Sequence, residues 1–577
     1  MTDNQLISRK TLLRTGALGG AGLLAAALLG CGSDDEGSPA ASSSATAAAT
    51  AEPGVIRDPN LPYPFQAPDP AGAPKTGGTM RYGTTYAISI FDPAKTSAGG
   101  TLMVTNFVYN RLLGFKRGVD MDPFRLDLIP ELASSWERTP DGLTYTFKLV
   151  SNAKFHNVAP VNGRTLVADD VKFSYDRYAA GGPQQSYFAN VASVDAVNPT
   201  TLKITMKRPV ADFIMPLAGR YIPIIPKELV DDGSIEKKAI GTGPMLLKEA
   251  IDGQRAYFER NPEYFQRPVL LDAFEYKIIP DPAARLAAFR SRQIDYGYPF
   301  VDNITDAKNL EKTTPDVRFF MSAPLNTTFT VAFNLDLPKY KDDRVRQGLA
   351  LAVDHNTIIN VVLDKLGLAL PAIPWPFVFD KLPTGDQLGR FMKFDPAEGK
   401  RLLDAAGAAG LEINSNYYQY TSTNSRVSDL LVDQLRAVGV TLKNQQADYT
   451  EFNSQWVGAK IADATTSGWG TAGFDADNWF YNQIHSKSPG NRWRIKDAQS
   501  DTWAEQQQVE LDPAKRREIH RKLWDYHNEK QYRLSTPVGY GFTPLQPWVR
   551  GVRGGNWGNS LSYDDGAIVG AGAWLDK

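Results

Sequence analysis

From Ser467 to Phe480 the chain reads Ser-Gly-Trp-Gly-Thr-Ala-Gly-Phe-Asp-Ala-Asp-Asn-Trp-Phe. Glycines on both sides of Trp469 leave its ring face uncrowded, so it can lie against a flat or amphipathic ligand. Asp475 and Asp477 can hold an ammonium or polar hydrogens beside it, and Trp479 follows two residues on. The same two aspartates can instead cap the helix that begins after them, and residue type alone leaves these two uses equal. Sugars also stack on Trp and bond to Asp, Asn and Arg. Trp375, Trp469, Trp479 and Trp493 all fall in the later part of the chain.

Cys31 is the only cysteine. Ala17 to Gly30 is almost entirely Ala, Gly and Leu, with Arg9, Lys10 and Arg14 ahead of it. A basic start, a short apolar run and small residues before a break form a secretory signal, too short for a permanent span. Leu28-Leu29-Gly30-Cys31 resembles a bacterial lipobox, in which the thiol takes the lipid and becomes the new N-terminus. The expectation is an extracytoplasmic protein tethered to the bacterial cell membrane through Cys31, in the periplasmic space if the cell has one. Ser8-Arg9-Lys10-Thr11-Leu12-Leu13-Arg14 also resembles a twin-arginine signal with Lys10 in place of the second arginine, so the export route stays open.

Catalytic and metal chemistry is thinly represented. The histidines are His156, His355, His485, His520 and His527, with no His-Glu-x-x-His spacing and no cysteine beside them. His520 and His527 stand seven apart on an expected helix and read as a solvated face. There is no nucleophile elbow and no phosphate-binding loop. A secreted glycoside hydrolase needs only two carboxylates and an aromatic cleft, so it is the enzyme alternative, with Asp475 and Asp477 in those roles. A lipid-tethered chaperone or adhesin using the same cleft is the second. Neither a cofactor nor a metal is expected.

The 577 residues carry 63 Lys and Arg against 64 Asp and Glu. Such balance gives no field that would draw nucleic acid. Residues 32–76, rich in Ser, Ala, Thr, Pro and Gly, cannot bury enough apolar surface to fold and read as a flexible tether. Folded sequence is expected from Gly77. Leu143–Leu149 and Thr201–Lys207 alternate apolar and polar and read as half-buried strands. Asp169 can cap a helix with Val171, Tyr175 and Tyr178 on one face. Asp281-Pro282, Asp395-Pro396 and Asp512-Pro513 each place an N-cap before a proline at the first helical position, and Glu398 stands where a capping box would have its acid. The helix after Asp512 carries Ile519, Leu523 and Tyr526 on one stripe. Val427, Leu431, Leu435 and Val438 form another stripe, stopped by Gly439. Asp343 can cap a helix with Val345, Leu349 and Ala352 inward. Mixed strands and helices make this an α/β or α+β protein.

Several segments in order resemble family 5 extracellular solute-binding proteins, the oligopeptide, dipeptide and nickel receptors of ABC importers. They are Pro130 to Glu137, Asp141 to Leu149, Phe155-His156 and Ala168 to Tyr175. Gly241-Thr242-Gly243-Pro244, Glu259 to Phe265, and Asp343 to Gln347 with Ala350 to Asp354 complete the series. Each also has a scaffold reading: Gly241 and Gly243 permit a tight reversal fixed by Pro244, and Arg344 and Arg346 read as surface or ion-pair residues. The resemblance implies a two-lobed periplasmic-binding-protein-like fold of type II with an extra α/β domain inserted in the first lobe. On this chain that gives a signal peptide at 1–31, a first lobe at 77–110, 241–325 and 535–577, an inserted domain at 111–240 and a second lobe at 326–534. It implies a monomer that captures a peptide-like or other polar organic solute between hinged lobes and delivers it to an ABC permease and its ATPase. The residues it points to are Trp469, Asp475, Asp477, Trp479, Tyr86, Ser97 to Thr101 and Asn334. Peptide-binding relatives place an aspartate for the ligand ammonium three residues after the matching Trp. Here that position is Ala472, which favours an oligosaccharide, a blocked peptide or another polar solute.

Overall fold

The computed structural model describes residues 61–64, 69–88, 90–117, 121–122, 124–298, 300–325, 327, 329–419, 422–448, 451–452, 454–455, 460–467, 475–552 and 565–577. Cys31, Trp469 and Ala472 lie outside the described residues.

Three sheets carry the molecule. The first is built from Thr79–Thr84, Met245–Ile251, Arg255–Arg260, Ala273–Ile278 and Tyr296–Gly297; Thr79–Thr84 runs parallel to both Ala273–Ile278 and Tyr296–Gly297. The second is an antiparallel four-stranded sheet of Ala133–Arg138, Thr144–Leu149, Thr201–Met206 and Val191–Asn198. The third joins Thr441–Gln446, Glu412–Tyr417, Ala464–Ser467, Thr330–Phe333 and Arg533–Ser535, in that spatial order. The strand periods read from sequence hold where one face is buried. Tyr145, Phe147 and Leu149 point into the core while Lys148 is exposed.

Helix starts follow local chemistry. The Asp281, Asp395 and Asp512 carboxylates each accept backbone N–H groups of the first turn, with proline at its first position. Such a cap is worth about 1 kcal/mol. Glu398 does not close a capping box, because its carboxylate pairs with Arg401. Two other starts shift by a residue or two. Val167 precedes the helix Ala168–Ala180, and Asp170 accepts its N–H. Asp342, not Asp343, caps Asp343–Leu351. The stripe Val427, Leu431, Leu435 and Val438 is at most 4 % exposed, and Gly439 ends the helix at φ +83°.

The chain enters the third sheet from the strand Arg318–Ser322 and leaves it into the strand Gly541–Leu545, and these two strands pair antiparallel in a two-stranded sheet of their own. These crossings lie side by side: Thr327 Oγ1 donates to the Thr536 carbonyl at 2.6 Å, and Thr536 Oγ1 donates to the Phe329 carbonyl. The far end of the expected tether is docked rather than free. Tyr63 stacks on Phe319 at 4.8 Å, Asp69 pairs with Arg318 at 2.9 Å, and Lys75 pairs with Asp576 at 2.6 Å. Apolar Leu61 and Tyr63 find a ready cluster there, which composition over 32–76 could not reveal.

Four of the segments that carried the family resemblance, those holding Glu131, His156, Gly241 to Pro244 and Asn261, meet in one buried polar knot. Glu131 accepts from Asn110 Nδ2 at 2.6 Å and from the N–H of Arg111 at 3.1 Å, and it pairs with the Arg111 guanidinium. Thr242 Oγ1 donates to Asn110 Oδ1 at 2.9 Å. His156 Nε2 and Asn261 Nδ2 both meet the Gly243 carbonyl, at 3.0 and 2.9 Å. Gly241 and Gly243 are needed here for closeness rather than reversal. A Cβ on either would fall about 2 Å from the carbonyl oxygen of Val108 or Phe107.

Candidate functional site

Asp475, Asp477 and Trp479 come together on a short helical segment that ends at Gln483, leans on the helix Ala498–Val509 and touches Pro513–Lys530 through Phe480 and His520. Asp475 is 8 % exposed and accepts the N–H of Asn478 at 2.6 Å. Asp477 accepts from the side-chain amides of Gln507 and Gln508 at 2.8 and 2.9 Å. The capping use is therefore realised at Asp475. Trp479 packs in the apolar cluster of the third sheet with Trp375, Trp493 and Trp524. All three of the described tryptophans among the four named from sequence are buried there.

A third carboxylate reaches this place from the other side of the molecule. Asp212 follows the last strand of the second sheet. It takes both terminal nitrogens of Arg516, and its Oδ2 accepts the N–H groups of Ala476 and Asp477 at 3.0 and 3.2 Å. The neighbouring backbone joins in, with Ala211 N–H donating to the Gln508 carbonyl at 2.7 Å and Arg208 to Gln508 Oε1 at 2.6 Å. This is a polar seam between the second sheet's domain and the third sheet's helices.

The seam is short of positive charge. Burial raises the Asp212 carboxyl, but the charge and hydrogen bonds of Arg516 outweigh it and hold Asp212 below the ordinary carboxylate range. Among the described residues Asp475 has no such partner. Burial first, then the charges of Asp212 and Asp477, push it well above that range. Asp477 is pushed up to about 6, chiefly by burial, against the pull of the Gln508 amide. His520 stacks on Phe480 at 4.7 Å and is driven down to about 3 by burial and then by Arg516, so it adds no charge. The solvated face expected for His520 and His527 is thus corrected. His520 is 5 % exposed, and His527 is half-buried with its Nε2 2.8 Å from Ser500 Oγ, because the helix turns that stripe toward Ala498–Val509. Arg346, read as a surface or ion-pair residue, is a buried one that pairs with Asp343 and donates to the carbonyls of Tyr340 and Lys530.

The other residues named from sequence stand elsewhere. Tyr86 is half-buried beside the first sheet, edge-on to Tyr298 at 5.2 Å. Ser97 Oγ accepts from Gln184, and Thr101 donates to the Ile90 carbonyl. Asn334 is buried and donates to the Ile461 and Ala462 carbonyls at 3.0 and 3.3 Å. Sequence reasoning missed Asp212, Gln507, Gln508 and Arg516. The i, i+4 spacing of Arg516 and His520 was a usable signal for one shared helix face. Nothing local marked Asp212, 304 residues from the arginine it holds.

A family model, bacterial extracellular solute-binding proteins, family 5, matches residues 127–491. The chain belongs to this family. Like its other members, this family 5 protein is a solute-binding protein of the ABC-importer type, with an extracytoplasmic place of work. It is 26 % identical over 527 residues to the heme-binding protein A of Haemophilus influenzae, covering 85 % of this chain and 92 % of that one. It is 27 % identical over 425 residues to the dipeptide-binding protein of Escherichia coli, covering 68 % and 75 %. Its fold matches the ABC transporter-associated periplasmic binding protein DppA of Helicobacter pylori, solved with a bound peptide. The TM-score is 0.71 at 21 % identity, with 87 % of this chain and 99 % of that one covered. The fold is thus the two-lobed periplasmic-binding-protein-like α/β architecture that the resemblance implied.

Proposed function

We propose that this protein captures a peptide-like or other polar organic solute between two hinged lobes and hands it to an ABC permease, working as a monomer lipid-anchored at Cys31. The lobes are the first and third sheets with their helices, at about 77–110, 241–325 and 535–577 for one and 326–534 for the other. The domain at about 111–240 rides with the first lobe. One observation carries the reading: two neighbouring crossings, near Thr327 and Thr536, join the sheets on one side, while a separate polar seam at Asp212 meets the third sheet's helices elsewhere. Rotation about the paired crossings would open and close that seam, which is how hinge closure buries a ligand.

Trp469 is the residue we assign to the ligand face, with Asp475, Asp477, Trp479, Tyr86 and Asn334 as the other members of the set. The surplus of carboxylate at Asp475 supports a solute that presents polar hydrogens, the need that Ala472 leaves unmet. A thermal-shift screen of the purified protein against peptide pools, oligosaccharides and metal chelates tests this, followed by solution scattering with the best hit. The expected result is a raised melting temperature together with a smaller radius of gyration. A hit that is cleaved, or one that binds without compaction, would count against it.

A further inference from the structure

The strand Arg533–Ser535 is the edge of the third sheet, with Arg533 in register with Ala332. Leu534 enters the aliphatic cluster on one face. Strand alternation sends Arg533 to the other face, where Ala332, Trp479, Trp493 and Trp524 pack. Its guanidinium carbon stands 4.2 Å from the Trp493 ring centre and 4.9 Å from that of Trp479. Among the described residues no carboxylate pairs with it and no group accepts a hydrogen bond from it. Burial alone pushes it down to about 9.

The charged and titratable neighbours do not supply the missing negative charge. Asp497 is committed to the hydroxyls of Tyr526 and Tyr532, at 2.9 and 2.7 Å, and to the N–H of Ser500. His527 is neutral, driven down to about 3 by burial and then by Arg533 itself. Indole faces satisfy the flat faces of a guanidinium but not its edge, where five N–H donors lie in one plane. A second donor adjoins it. Trp479 is 2 % exposed, and its Nε1–H has no acceptor among the described residues. Arg533 as a whole residue is half-buried.

We propose that Arg533 and the indole N–H of Trp479 form an anion site on the third sheet that takes a carboxylate of the captured solute. A flat carboxylate suits a guanidinium hemmed by ring faces, because both of its oxygens can meet the edge in one plane. Assigning that carboxylate to the solute rests on the receptor reading above; the donor pair itself does not.

Two sets of probes test the proposal on the purified protein. Benzoate and its neutral twin benzamide, with inorganic phosphate as a tetrahedral control, are titrated by calorimetry and tryptophan fluorescence. A peptide pool with free C-termini is compared with the same pool amidated. The expected results are saturable benzoate binding without benzamide or phosphate binding, and at least tenfold tighter binding of the free-acid pool. Arg533→Met should abolish both preferences. Arg533→Lys, which keeps charge without the fork, and Trp479→Phe, which keeps a ring without the N–H, should each weaken benzoate several-fold. These two variants decide the matter if Arg533→Met does not fold. Benzoate binding that is absent, matched by phosphate, or unchanged in the variants would overturn the site. Two pools bound equally, with Arg533→Met silent, would overturn it while leaving the receptor reading intact. Benzoate bound through Arg533 with neither pool bound would keep the donor pair and overturn its assignment to a peptide solute.

Discussion

The knot at Glu131 and the seam at Asp212 are both buried and polar, yet they are built on opposite terms. In the knot, one carboxylate faces one guanidinium, and amides, a hydroxyl and backbone carbonyls occupy the remaining lone pairs and donors. In the seam, three carboxylates share the charge of Arg516, and the surplus falls on Asp475 and Asp477. A fully paired cluster rigidifies. A charge-short cluster titrates, and it sits between parts of the molecule that a hinge would separate. Buried pairing marks the scaffold; buried imbalance marks the place where something else, a proton or a ligand group, completes the set.

The largest effect should come from breaking the knot. Glu131→Ala strands the Arg111 guanidinium and the Asn110 amide, and a loss of about 3–5 kcal/mol is expected, read by denaturant unfolding. A loss below about 1 kcal/mol would erase the contrast between the two regions. Next, Arg516→Met leaves Asp212 beside two other carboxylates, for an expected loss of about 2–4 kcal/mol. Faster hydrogen exchange should be confined to the neighbourhood of residues 208–212 and 476–516. A uniform change across the protein would mean that the seam is ordinary core.

The pH dependence has a definite sign. A carboxyl raised by folding adds stability that is full below its ordinary value and is lost as pH rises through the folded value, so Asp477, at about 6, weakens the seam between about pH 4 and 7. Asp212 is lowered, so its contribution is present above the ordinary carboxylate value and lost on further acidification. The seam should therefore be tightest near the ordinary carboxylate value, at about pH 4. Asp477→Asn should gain about 1–2 kcal/mol at pH 7.5 and flatten the profile between pH 5 and 7.5, measured by thermal unfolding across that range. An unchanged slope would remove Asp477 from the titrating set. The smallest effect on stability belongs to Trp469→Ala, expected within about 0.5 kcal/mol, while affinity for the identified solute drops at least tenfold. Unchanged calorimetric affinity would take Trp469 off the ligand face.

What the chain determined by itself is local. Aspartate before proline caps a helix because the carboxylate reaches N–H groups two or three residues on, so Asp281, Asp395 and Asp512 were legible directly. The stripe from Val427 to Val438 was legible for the same reason, since a helical period fixes which side chains share a face. The family segments were readable as a series, although the common destination of four of them at Glu131 and Gly243 was not. Tertiary structure decided the rest. Whether Asp475 carries charge depends on Asp212, 263 positions away, and whether His520 is solvated depends on what packs over its helix. The cation at Arg533, unpaired among the described residues, is conspicuous only once two indoles close on it. Hydrogen bonds and periods act over a few residues of chain, whereas desolvation and unscreened charge act through space between neighbours that only the completed fold selects.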